Sequence, residues 1–235
     1  MRLALSGALI LSSLAPSLKA VCSAPQPRLV CAEYSASTFV VEAVLNHHTP
    51  IYDKREPTTR NADIYTFHVE RVFRGELTQT VTVYETNDSG RATFDWIRGE
   101  KYLLFLFRSP SGKFWELDGC GNSGPLTAAT KVLSQLAAID THSAYGSIYG
   151  AVSHGSLSAR LPGVHVAAKG NGETYNAATN ENGEFNMRVP VGTYSVEAFR
   201  KGLKFDTFEL SYSDRNHLQV EPGGCVQVQL IATQK

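Results

Sequence analysis

The chain lacks an excess of charge of either sign. Its 235 residues carry 22 Lys and Arg against 22 Asp and Glu, for a formal net charge of zero. Binders of nucleic acid or of anionic membranes need a surplus of Lys and Arg to displace counterions, so neither class is expected. It also lacks a Cys-x-x-Cys pair and any Cys/His cluster at zinc-ligand spacing. There is no His-Glu-x-x-His, no P-loop and no dinucleotide fingerprint, so no cofactor or metal is expected. His154-Gly155-Ser156 and Asp88-Ser89-Gly90 hold nucleophile-like residues, but neither forms a Gly-x-Ser-x-Gly elbow. Both read as turns. Glu42, Glu70, Glu85 and Asp95 are scattered single carboxylates, whereas a glycosidase needs a cleft with a matched pair. His47 and His48 are adjacent and point to opposite faces if they lie in a strand. They read as part of a solvated loop.

The one long apolar run opens the chain. Met1-Arg2-Leu3-Ala4-Leu5 begins a positively tipped stretch to about Leu14, followed by small residues ending at Ala20. That is the form of a secretory signal peptide over residues 1–20, and it is too short for a stable membrane span. No other segment approaches spanning length, so no transmembrane segment is expected after its removal. The expected location is periplasmic or extracellular. Lys19-Ala20-Val21 is a poor approach to a lipidated cysteine, which makes an anchor on Cys22 the lesser alternative. Four cysteines follow: Cys22, Cys31, Cys120 and Cys225. In an oxidising compartment they are disulfide candidates with three pairings open.

With 43% apolar and 19% charged residues the chain can bury a core. Thr38–Leu45, Tyr65-x-Phe67-x-Val69 and Val81–Tyr84 read as strands, with a polar loop from Asn46 to Asp63. Tyr102–Phe107 is apolar throughout, as in a strand buried on both faces, and Ser109–Gly112 turns it toward Phe114-Trp115-x-Leu117. Leu126, Ala129, Val132, Leu133, Leu136 and Ile139 recur at helical steps, with Lys131 and Gln135 on the wet side. Residues 141–147 read as a linker.

From residue 148 on, alternation is clean. Val164-x-Val166-x-Ala168, Phe185-x-Met187-x-Val189, Tyr194-x-Val196-x-Ala198, Phe208-x-Leu210-x-Tyr212 and Val226-x-Val228-x-Leu230 each turn one face inward. Asn182-Gly183 suits a type I′ hairpin turn. This half reads as an antiparallel sandwich.

Leu161-Pro162-Gly163-Val164, Thr179–Phe185 and Val189-Pro190-Val191-Gly192-Thr193-Tyr194 resemble the carboxypeptidase regulatory-like domain, a transthyretin-like sandwich. Glu70–Gly75, Gly99–Phe105, Gly119-Cys120 and the Cys22…Cys31 spacing resemble the netrin-like module of tissue inhibitors of metalloproteinases, an OB-type barrel. Both modules in this order resemble a class of bacterial exported proteins. The resemblance implies an all-β chain: an OB-type barrel with one C-terminal amphipathic helix over 21–140, then an Ig/transthyretin-like β-sandwich over 148–235.

It also implies a Cys22–Cys120 disulfide, with Cys31 and Cys225 left to each other or free. It does not carry inhibition across intact. Cys22 matches the second cysteine of the inhibitors' opening pair, and the first would fall at Ala20. Arg91-Ala92-Thr93 stands where bacterial relatives often have a further Cys. The regulatory-like domain brings no peptidase zinc.

The expected function is therefore a non-enzymatic exported binding protein with a protein or polysaccharide partner. Metalloproteinase inhibition by the barrel and carbohydrate binding by the sandwich are the alternatives. Trp96, Trp115 and Tyr175 are the candidate ligand contacts, because aromatic faces with a polar edge stack on sugars. The core is the blander place for Trp115. Asn87-Asp88-Ser89 fits a glycosylation sequon and marks a surface loop.

Overall fold

A computed structural model describes residues 28–76, 78–88, 91–109, 112–155, 159–209 and 217–234. The first half contains α1 (Val30–Ala36), β1 (Phe39–Tyr52), β2 (Arg60–Arg74), β3 (Thr80–Thr86), β4 (Lys101–Arg108), β5 (Trp115–Glu116), β6 (Gly124–Pro125) and α2 (Thr130–Ala137). The second contains β7 (Tyr145–His154), β8 (His165–Gly170), β9 (Glu173–Ala178), β10 (Glu184–Pro190), β11 (Gly192–Phe199), β12 (Leu203–Glu209), β13 (Leu218–Val220) and β14 (Cys225–Gln234). The expected leader, Cys22, Leu210 and Tyr212 lie outside the described residues. None of the described helices is long and apolar enough to cross a membrane.

β1 is paired on both edges, to β2 along its length and to β4 from Phe39 to Val44. β2 pairs with β3, β3 meets β5 at Val83 and Trp115, and β5 returns to β4. The pairings thus run in a circuit that comes back to β1. Register shifts at four points along β1 and β2 let this long hairpin curl, since each bulge bends its strand. Val41, Ala43, Tyr65, Phe67, Tyr102 and Leu104 fill the space inside.

β4 shows why its sequence is apolar without interruption. Tyr102, Leu104 and Leu106 point into the circuit, while Leu103 and Phe105 face outward under Val30 and Tyr34 of α1 and Leu136 of α2. The helical stretch is shorter than its apolar spacing predicts. A 3₁₀ turn at Leu126–Ala128 precedes α2, yet Leu126, Ala129, Val132, Leu133, Leu136 and Ile139 all pack on this second cluster.

The loop expected from Asn46 to Asp63 is instead mostly strand, and only residues 53–59 turn the chain. From Asn46 onward β1 pairs with β2 alone and is largely exposed, so no inward face imposes alternation there. Pro50 fits because its missing N–H lies on a strand whose other edge is free at that point.

The second half is two four-stranded sheets, β10-β7-β14-β12 and β13-β11-β8-β9, closed on one core. Val164, Val166, Ala168, Phe185, Met187, Val189, Tyr194, Val196, Val226, Val228 and Leu230 are buried there as their alternation predicts. One pair departs from the antiparallel expectation: β14 runs parallel to β7. They are the last and first strands, and the long excursion between them satisfies the crossover that parallel pairing requires. β7 begins at Tyr145, inside the stretch expected as a linker.

Asn182-Gly183 does not make a hairpin, because β9 and β10 belong to different sheets. Gly183 alone takes a positive φ (71°), and the Asn180 Oδ1 accepts from the backbone N–H groups of Asn182 and Glu184. The two-residue turn with both φ values positive is Asn171-Gly172, at 53° and 77°, between β8 and β9.

Gly150 marks the tightest approach in this core. A Cβ there would lie 2.6 Å from the Val228 carbonyl oxygen and 2.6 Å from the Phe185 ring. Gly150→Ala is expected to cost about 1–3 kcal/mol by overpacking, read from urea unfolding. An unchanged midpoint would show that Phe185 yields freely.

Candidate functional site

The inward alternation of β2 does not stop at Tyr65. It continues to Asp63, whose side chain is fully buried, and on β3 the row Val81, Val83 continues to Glu85. Asp63 and Glu85 are register partners across β2 and β3. Two carboxylates facing each other away from water are costly unless cations and donors match them.

Here they are matched. Arg60 donates from Nε to Asp63 Oδ1 at 2.8 Å and from a second nitrogen to the same oxygen. His48 Nε2 lies 2.6 Å from it. Arg91 bridges the pair, 3.1 Å from Glu85 Oε2 and 3.5 Å from Asp63 Oδ2, and donates to Asn87 Oδ1 at 2.6 Å. Glu85 also accepts from the Ala92 N–H (2.7 Å) and Trp96 Nε1–H (3.2 Å). Burial, with Glu85 and Asp63 nearby, pushes the Tyr65 phenol well above its usual range. The His48 ring stacks on Tyr65 at 4.8 Å.

With its acceptors largely engaged, this cluster is built to hold the Arg91–Ile97 segment in place. The Tyr102 hydroxyl completes that hold, accepting from the Ile97 N–H and donating to the Asp95 carbonyl. Glu85→Gln should cost about 2 kcal/mol by removing the charge that meets Arg91 and Trp96. Urea unfolding measures the loss, and a shift in Trp emission is expected with it. A loss below about 0.5 kcal/mol would show that Arg91 is held by Asp63 and Asn87 alone.

Beside the cluster lies a pocket of about 220 Å³ lined by Tyr84, Glu85, Thr86, Arg91, Glu116 and Leu117. None of these six is a Ser, Cys, His or Lys. Tyr84 stacks on Phe114 at 5.5 Å. Among the described residues no three of His, Cys, Asp and Glu are grouped to hold a metal.

The scattered carboxylates sort differently from their sequence order. Glu42 and Glu70 meet at Lys101, 3.9 and 2.6 Å away on the surface. Glu85 meets Asp63, which sequence reasoning passed over together with Arg60 and Arg91. The available signal was phase: a charged residue continuing an inward apolar row must find a partner.

Trp96 is half-buried among Tyr65, Phe67, Phe94 and Tyr102, with ring centroids 4.7–5.4 Å away. Trp115 packs edge-on against Phe39 at 4.8 Å, with the Arg108 guanidinium 5.0 Å from its ring. Tyr175 lies in the other half, on the edge strand β9, edge-on to Tyr194 at 5.9 Å and donating to Glu173. The three are not brought together.

Cysteines join the two halves. Cys31 of α1 is bonded to Cys225 of β14, with Cα atoms 5.2 Å apart. Cys120 is also disulfide-bonded. Around the Cys31–Cys225 bridge, Arg74 donates to both carboxylate oxygens of Glu221 at 2.7 and 2.9 Å, and to the carbonyls of Ser37 and Ser35. The Leu29 N–H donates to Gln227 Oε1. Gly224 lets the chain pass: a Cβ there would lie 2.1 Å from Ser35 Oγ.

The family described as carboxypeptidase regulatory-like domain matches residues 147–230. No curated protein matches the chain. Among solved structures, the TIE protein of Bacillus anthracis is similar over 83% of this chain and 31% of its own, with 9% identity and a TM-score of 0.31. This chain therefore spans about a third of that protein's length. The Streptococcus pyogenes major pilin proteins T3.2 and T-13 are similar over 86% and 85% of this chain and 93% and 92% of theirs. Identity is 9% in both, with TM-scores of 0.23 and 0.18. These structural likenesses are too slight to carry a function across.

Proposed function

We propose that the chain is a non-enzymatic exported binding protein that presents two β modules as one body. The observation that carries this reading is the covalent bridge between α1 and β14, reinforced by Arg74 and Glu221. A protein that depends on a disulfide between distant segments belongs in an oxidising compartment, in agreement with the leader-like first twenty residues. The regulatory-like family matched by residues 147–230 is non-catalytic. The polar cluster of the first module engages its carboxylates in structure, which suits a binding scaffold better than proton transfer. The first module is read as netrin-like, supported by its returning strand circuit and by the motifs that flank Cys120.

Expression of the full chain in a bacterial host, followed by fractionation and intact mass, tests the reading. The expected product lies outside the cytoplasm, lacks about the first twenty residues and gains two hydrogens per disulfide on reduction. A full-length, reduced product retained in the cytoplasm would overturn it.

A further inference from the structure

The pocket beside the buried cluster has an uncommitted charge. Arg91 is engaged by Glu85, Asp63 and Asn87, so its charge is already answered. Glu85 is answered in turn by Arg91, the Ala92 N–H and Trp96. Glu116 is half-buried on β5, the neighbour of β3, and its carboxylate makes no hydrogen bond or ion pair among the described residues. The remaining lining residues are Tyr84, whose ring stacks on Phe114, with Thr86 and Leu117.

A concave site with one unanswered carboxylate attracts a cation through Coulomb attraction, and the neighbouring Tyr84 ring adds to it. A volume of about 220 Å³ admits a single side chain and not a folded segment. An anionic group would meet both Glu85 and Glu116.

We propose that this pocket receives one Lys or Arg side chain projected by a protein partner. The inference rests on the binding-protein reading above and names the chemistry its partner must show.

The test titrates the ¹⁵N-labelled full chain, disulfides intact, with N-acetyl-arginine methylamide and N-acetyl-lysine methylamide. N-acetyl-citrulline methylamide serves as the neutral match, and a set of neutral oligosaccharides is run beside it. Either cationic probe should shift the amides of Tyr84, Thr86, Glu116 and Leu117, with at least fivefold weaker binding in Glu116→Gln. A Glu116→Gln spectrum unchanged away from the pocket shows that the variant is folded.

Equal shifts with the citrulline probe would overturn the proposal, as would shifts unaffected by Glu116→Gln. Oligosaccharide binding at these residues in place of the cations, or no shift with any probe, would also overturn it. Each of these outcomes is independent of whether the chain is exported and oxidised.

Discussion

Replacing Cys31 and Cys225 together by Ser should destabilise the chain more than removal of any other contact between its two halves. The bridge closes a sequence separation of 194 residues. Chain-entropy reasoning for a loop of that size gives on the order of 5 kcal/mol, taken from the unfolded state that the bridge restricts. The effect should also be local in a particular way. α1 packs Val30 and Tyr34 against β4 and α2 of the first module and holds β14 of the second through Cys31. Without the bridge, the junction retains Arg74–Glu221, worth about 1.5–3 kcal/mol, and the neutral Leu29–Gln227 hydrogen bond, worth about 0.5–1.5 kcal/mol. Hydrogen exchange at α1 should therefore speed up more than exchange at β4 or β7. Urea unfolding of the double variant, compared with the oxidised chain, reads the magnitude. A loss below about 1 kcal/mol would mean that packing alone holds the two halves together.

The second large effect is a dependence on pH centred on Glu33. Its carboxyl is nearly completely buried against Gly121 and Asn122. Oε2 accepts from the N–H and the side-chain amide of Asn122, both at 2.6 Å, while Oε1 has no partner. Burial is the dominant influence and raises the carboxyl from 4.5 to about 7; the Asn122 bonds and Arg28 oppose this only in part, and Asp118 adds to it. The folded chain thus keeps this proton up to near neutrality, whereas the unfolded chain releases it above about 4.5. Between those values the unfolded state holds fewer protons, so stability falls as pH rises, by about 1.4 kcal/mol per unit and about 3 kcal/mol across the window.

Glu33→Gln mimics the protonated acid and should remove that slope. The stability difference between the two proteins, measured by urea unfolding at pH 5 and pH 8, should shift in favour of the variant by about 2.5 kcal/mol. A constant difference across the range would show that Glu33 stays ionised. Gly121 belongs to the same arrangement, since a Cβ there would lie 2.1 Å from Glu33 Oε1.

Both effects centre on α1, the element least visible in the sequence. A seven-residue helix cannot announce itself by periodicity, and its neighbours supply its stability. Strands with one wet face and one packed face behaved otherwise. The rows ending at Ala168, Val189 and Leu230 could be read directly because water on one side and core on the other impose a period of two. β4 was legible for the complementary reason, being buried on both faces. The exposed half of β1 was not, because an edge strand whose own side chains are mostly wet needs hydrogen bonds but no pattern.

The candidate site was legible only in hindsight. Glu85 and Asp63 stand in phase with apolar rows, yet their partners Arg60, Arg91 and His48 are fixed by register and by the turn after β3. The expectation that Cys31 and Cys225 are joined or free resolves to joined, because α1 lies directly on the outer face of β14.

Non-reducing peptide mapping of the full chain tests the central claim, that a disulfide locks two β modules into one body. The expected result is a single cross-linked species joining the peptide that contains Cys31 to the peptide that contains Cys225. It should separate into two peptides on reduction. Recovery of either cysteine as a free thiol, or of Cys31 joined to another cysteine, would contradict it.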